Sequence, residues 1–326
     1  MNVKDTDLDK YNQKYYQIIT LWAVLEGFLG GLIHGLHIPI SGLLVGSGAI
    51  FCITLLGIHF PEKGAILKAF VIVAACKFLL SPQSPPTAYL ALAFQSILGQ
   101  ILFSTPWSLR VKCFLLSIIS LVESGIQRLL VVYFIFGMGF MDAFDDWMNK
   151  VMNSFHISSY SLLFMILYLL LHLAVGIWLG NALNRLIQMK WNIYDKSIEI
   201  PTTAGELIDN KKTRSWFWPW ILLGSLCFIY FDILNHKDWI YLVVRASIIV
   251  IGWFFVIIPF FKKLMTIWIK NSQENQNNDI QAVMQAVPNM WNLVKFFWQK
   301  NSNLAWWKRI KLFYYDLGGY FISEKS

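Results

Sequence analysis

An all-α integral membrane protein is the expectation for these 326 residues, on three counts. Hydrophobic residues make up 56% of the chain and charged residues only 14%, against about 25% charged in an ordinary soluble domain. The mean hydropathy is +0.52. Apolar runs of membrane-crossing length recur along the chain, and Lys and Arg crowd into alternate gaps between them. This excludes an ordinary cytosolic enzyme, a disordered regulator and a secreted disulfide scaffold. Net charge is +8, and the excess reads as cytoplasmic loops. Nucleic-acid binding would need a basic soluble face, and none is expected.

A crossing helix needs about 20 apolar residues. Eight such segments are expected, at 16–37, 40–59, 64–80, 88–104, 110–137, 159–186, 217–234 and 239–261. His-Ile-Pro (37–39) separates the first two. Ser-Pro-Gln-Ser-Pro-Pro (81–86) ends the third, because proline removes a donor and clashes with the preceding turn. The polar, acid-rich N-terminus is unlike a cleavable signal peptide, so the first run is expected to be an uncleaved anchor. Lys4, Lys10 and Lys14 precede it; Lys63, Lys190, Lys196, Lys211, Lys212 and Arg214 fall in the even gaps, with Lys68, Arg110, Lys112 and Arg185 just inside the helix ends that border them. The odd gaps hold only Lys150 and Lys237. This places both termini in the cytoplasm, in the cell membrane.

Residues 1–187 then form a six-helix membrane domain, 188–216 a cytoplasmic linker, and 217–326 a two-helix extension with a tail. In the tail, Ile280, Val283, Met284, Val287, Trp291, Val294 and Trp298 repeat at helical spacing, as do Trp307, Ile310, Tyr314, Leu317 and Phe321. Such C-terminal amphipathic helices lie on membrane lipid or dock on a partner. Cys52, Cys76, Cys113 and Cys227 sit in apolar runs and read as small buried hydrophobes.

Polar residues inside the bilayer must face other helices, water or a ligand. In the first segment His37 lies about 20° round from Glu26 and His34 about 80°. Gly27, Gly31 and Gly35 make a second stripe, and Gly42 and Gly46 repeat that spacing in the next segment. Such stripes permit close helix approach, either within the bundle or on another membrane subunit. Gln95, Glu123, Gln127 and Arg128 occupy similar depths. Either these groups converge with Glu26, His34 and His37 on an outward-facing pocket, or Arg128 neutralises Glu26 or Glu123 and the amides bond between helices. Lys68 and Lys77 are expected to snorkel to the interface, and His172 to be a packed core histidine. His34 and His37, at i and i+3, could share a metal ion. A third ligand would have to come from Glu26, His156, Asp142 or Asp145, and two ligands make no site, so no metal and no cofactor is expected. No HExxH, GxSxG or P-loop motif is present, and the chain is not expected to be an enzyme.

Residues 16–186 resemble the substrate-binding S-component of energy-coupling-factor (ECF) vitamin transporters. The similarity rests on LEGFLGGLIHGLHIPISGLLVGSGAIFCITLL (25–56), KGAILKAFVIVAACKFLLSPQSPP (63–86) and AYLALAFQSILGQILF (88–103), with Pro39-Ile40-Ser41-Gly42 entering the second helix. The resemblance implies a binder of a small-molecule solute, a vitamin or its precursor. His34, His37, Gln83, Gln95, Glu123, Gln127 and Arg128 would line its pocket. It implies docking through Gly27, Gly31 and Gly35 on a transmembrane coupling subunit driven by two cytosolic ATPases. The tail departs from that family: segments seven and eight and the amphipathic helices are extra, and Arg245-Ala246-Ser247 lies within the eighth run rather than at a cytoplasmic coupling position. The competing function is a membrane scaffold or assembly protein that binds no solute.

Overall fold

A computed structural model of the chain describes residues 3–30, 41–81, 84–151, 159–188, 244, 247–248, 251–271, 274–300 and 302–322. Among them the regular structure is helical and no strand occurs. The helices are α1 (Val3–Ala23), continued by a π-helical turn (Val24–Leu29), α2 (Ser41–His59), α3 (Ala65–Leu80), α4 (Pro86–Phe103), α5 (Leu109–Val151), α6 (Tyr160–Gln188), α7 (Ile258–Asn271), α8 (Glu274–Lys300) and α9 (Trp306–Ile322). A further π-helical turn, Trp253–Ile257, precedes α7.

Four helices among the described residues are long and apolar enough to cross a membrane: α2 over Gly42–His59, α4, α5 over Leu109–Lys150, and α6. The expected count of eight is therefore not reached there. The third segment has only 16 helical residues. The first runs into 31–40, outside the described residues, where all of 217–234 and part of 239–261 also lie.

The breaks follow local chemistry. Gly64, with φ of 92°, takes the left-handed conformation that lets the chain turn into α3. Pro86 opens α4 at a position where its missing N–H has no helical partner to lose. α5 is interrupted at Gly137 (φ 73°, ψ −173°), where the fifth segment is expected to end.

The chain divides into two compact units. One is Met1–Ser124, Leu173–Leu207 and Leu264–Ser326; the other is Gly125–His172 and Ile208–Lys263. In the first, α1 and its π-turn pack against α2, α3 and α8, and α4 packs on α2 and α3. Ile18, Ile19, Leu21, Trp22, Ala23 and Val24 are all fully buried, so α1 is central rather than peripheral. Cys52, Cys76 and Cys113 are buried free thiols, while Cys227 lies outside the described residues.

The tail corrects an expectation. Ile280, Val283, Val287, Met290, Leu293, Val294 and Phe297 of α8 are buried, and the helix packs on α1 and α3. Asp279 accepts a hydrogen bond from the Tyr16 hydroxyl and lies 3.1 Å from Lys68 Nζ. A Cβ on Gly318 of α9 would stand 2.7 Å from Leu186 at the end of α6. Ile280, Val283, Val287 and Val294 of the expected stripe thus pack within the chain, α8 lying on its own first and third helices, while Trp298 at the end of the stripe is exposed. Residues 264–326 join the unit of α1–α4 instead of standing apart within a 217–326 domain.

Level by level the contacts share one end. Lys14 Nζ lies 3.3 Å from His59 Nδ1, and the Tyr15 hydroxyl donates to the Ala65 carbonyl at 2.7 Å. Gly99 of α4 meets Ile53 and Leu116, and Gly180 of α6 meets Phe114. The α2–α3 connection, the end of α6 and both tail contacts, at Asp279 and Gly318, therefore lie at the same end of this unit.

In the second unit Asp145 caps α6. Its carboxylate accepts from the Ser161 N–H at 2.6 Å and from the Ser159 and Ser161 hydroxyls at 3.0 Å each. An anion there satisfies donors that a helix start leaves open and complements its dipole. Asp145→Ala is expected to cost about 0.5–2 kcal/mol, the usual range for a lost cap. Hydrogen exchange at residues 160–163 is the check: unchanged protection there would show that the cap contributes nothing. His172 is the packed core residue expected of it. It is buried, its Nδ1–H donates to the Tyr168 carbonyl at 2.9 Å, and its ring lies on Gly125.

Candidate functional site

Glu26 sits in the π-helical turn after α1 and is buried. Its Oε2 accepts from Lys77 Nζ at 2.6 Å, and the Lys77 side chain is 1% exposed. Lys77 also lies 5.6 Å from the centre of the Tyr89 ring. Two expectations change. Lys77 does not snorkel; it counters a carboxylate inside the bundle. Glu26 is neutralised by Lys77, not by Arg128, whose side chain is exposed. The reason is packing: Lys77 lies in the last turn of α3, but Glu26 and the Tyr89 ring cover its ammonium in place of solvent. Lys68, near the helix start, is half exposed and pairs with Asp279.

A second polar group lies where α2, α4 and α5 meet. Gln95 is 2% exposed, and its Oε1 has no hydrogen-bond partner. A Cβ on Gly46 would stand 3.3 Å from Gln95 Nε2 and 3.2 Å from Leu121, and one on Gly42 would stand 2.5 Å from Ser124 Oγ. Gly42 and Gly46 are one helical turn apart, so Gln95, Leu121 and Ser124 border a single turn of α2. On α5 the buried Ser117 and Ser120 hydroxyls and Glu123 Oε2 are also without a partner. Each such group is costly in a dry bundle, so each marks a place where a polar guest would be stabilised.

The remaining expected site residues divide as follows. His34, His37, Gly31, Gly35 and Gln83 lie outside the described residues. Gln127 is half-buried. Gly27 lies against Leu80, with 2.9 Å from a built Cβ to its Cδ1. Gly27, Gly42 and Gly46 thus each make a close approach inside the chain. The spacing Gly176–Gly180 on α6 is not part of the expected stripes, yet it makes the tightest backbone approach. A Cβ at Gly176 would be 2.9 Å from Ile118 Cα, and one at Gly180 2.8 Å from Phe114 Cα. Lys77 was likewise missing from the expected site; its standing as the one charged residue of the apolar stretch 69–80 is the signal that points to it. Among the described residues no three His, Cys, Asp or Glu side chains gather as a metal site.

Comparison with family models, curated proteins and solved structures gives no match for this chain, so no family is assigned to it.

Proposed function

We propose that this chain is the solute-binding membrane subunit of an importer of energy-coupling-factor type. It holds a small nutrient, a vitamin or precursor, and a transmembrane coupling subunit with cytosolic ATPases powers release to the inside. Its activity is binding and release, without covalent chemistry. Gln95 is the observation that carries this reading: a buried carboxamide oxygen left open beside a glycine-smoothed turn. Glu123 and the Ser117 and Ser120 hydroxyls of α5 extend the same polar strip. Glu26 supports the site as a neutralised pair rather than as a ligand. The shared position of the α2–α3 connection, the end of α6 and the tail supports placing both termini on the cytoplasmic side.

Native mass spectrometry of the protein in mild detergent is expected to find one small molecule per chain. Gln95→Leu should leave the fold intact and weaken retention. A hydrogen bond lost at a dry site is worth about 1–3 kcal/mol, roughly a factor of five to over a hundred in affinity. An empty chain under every growth condition, with no ATPase subunits in pull-downs, overturns the proposal. The competing reading, a membrane scaffold, draws on the glycines and the tail being used inside the chain. It predicts that Gln95→Leu raises stability and alters uptake of no solute.

A further inference from the structure

The hairpin of α8 and α9 keeps one face for the bundle and turns another outward. Between Asp279 and Asp316 the sequence holds Lys295, Lys300, Lys308, Arg309 and Lys311 and no Asp or Glu. The two flanking carboxylates are already engaged, Asp279 by Tyr16 and Lys68 and Asp316 by Lys300 at 3.2 Å. Arg309 holds the hairpin together: its Nε–H donates to the Trp298 carbonyl at 2.9 Å, and its guanidinium stacks 4.1 Å over the Trp298 ring. Lys295 and Lys308 are exposed. Beside them Trp298, Leu304 and Leu312 are 39%, 41% and 38% exposed. Both ends of this segment touch helix ends, at Lys68 and Leu186, so the hairpin lies at the level where apolar helices leave the hydrocarbon.

Cations mixed with a tryptophan and leucines at that level match an interface of lipid headgroups. We propose that the α8–α9 hairpin is a binding surface for anionic phospholipid headgroups. Trp298, Leu304 and Leu312 enter the interface, and Lys295 and Lys308 supply charge. The excess of cations with no competing carboxylate selects anionic over zwitterionic lipid. The inference rests on the membrane-crossing character of the chain and not on solute binding, so either can fail without the other.

The test uses the full chain with Leu304→Cys in a Cys227→Ser background, labelled with an environment-sensitive NBD dye and reconstituted into nanodiscs. Adding phosphatidylglycerol to phosphatidylcholine is expected to shift the emission to shorter wavelength. High salt should reverse the shift, and Lys295→Gln with Lys308→Gln should abolish it while leaving the gel-filtration profile unchanged. Emission that is the same in both lipids overturns the proposal, whether the dye reports water throughout or apolar insertion throughout. A shift that survives loss of both lysines and high salt also overturns it.

Discussion

Gly180→Leu is expected to prevent the first unit from folding, and Gly180→Ala to weaken it measurably. The neighbour of a Cβ there is the backbone of α5, Phe114 Cα at 2.8 Å with Cys113 O at 3.2 Å, and not a side chain that can swing aside. Gly176 meets the same wall at Ile118 Cα and Ser117 O. In a membrane, helices associate through packing rather than through exclusion of water, so lost backbone proximity is not recovered elsewhere. Overpacking by a small group costs about 1–3 kcal/mol, and leucine adds far more volume than that. Gly139, with nothing within 4 Å of a built Cβ, is the control: Gly139→Ala should be neutral. Thermal unfolding in detergent, followed by gel filtration, decides the matter. Equal melting of the Gly180→Ala and Gly139→Ala proteins would remove the claim that this contact limits stability.

Lys77→Met alone should destabilise strongly, and so should Glu26→Gln alone, while the double variant recovers most of the loss. Removing one member of a buried ion pair leaves the other charge without compensation, at a cost of about 3–5 kcal/mol. Replacing both by uncharged groups of similar size removes the desolvation penalty with the attraction, and is often neutral. Here both side chains are nearly inaccessible, at 1% and 4%, so solvent cannot take over for a missing partner. The same melting assay serves. A double variant no better than its parents would mean that the pair is coupled to something else in the bundle.

Much of the helical layout is legible in the residues themselves. Apolar runs mark α2, α4, α5 and α6, Gly137 ends the fifth run, and the cysteines of the second, third and fifth runs are buried as their surroundings suggest. Partnership is harder. Periodicity shows that α8 has a face to bury, but not that Tyr16 and Lys68 receive its Asp279. Lys77 looks like one more cation flanking a helix end, and only the fold shows Glu26 beside it. Gly176 and Gly180 have the small-residue spacing, but only the fold shows backbone beneath both. Gln95 is the opposite case: a lone amide in an apolar run stands out in the sequence, and the structure leaves its oxygen open.

The bond from Tyr16 to Asp279 joins residues 263 positions apart. A ribosome adding about 5–20 residues per second reaches the second of them roughly 13 to 50 s after the first. During that interval the opening helix is already made, yet the helix that will cover it does not exist. Nascent chains must therefore wait with a greasy flank uncovered, available to chaperones and to quality-control proteases. Stop codons or fusion tags placed before residue 274 would make that transient exposure permanent.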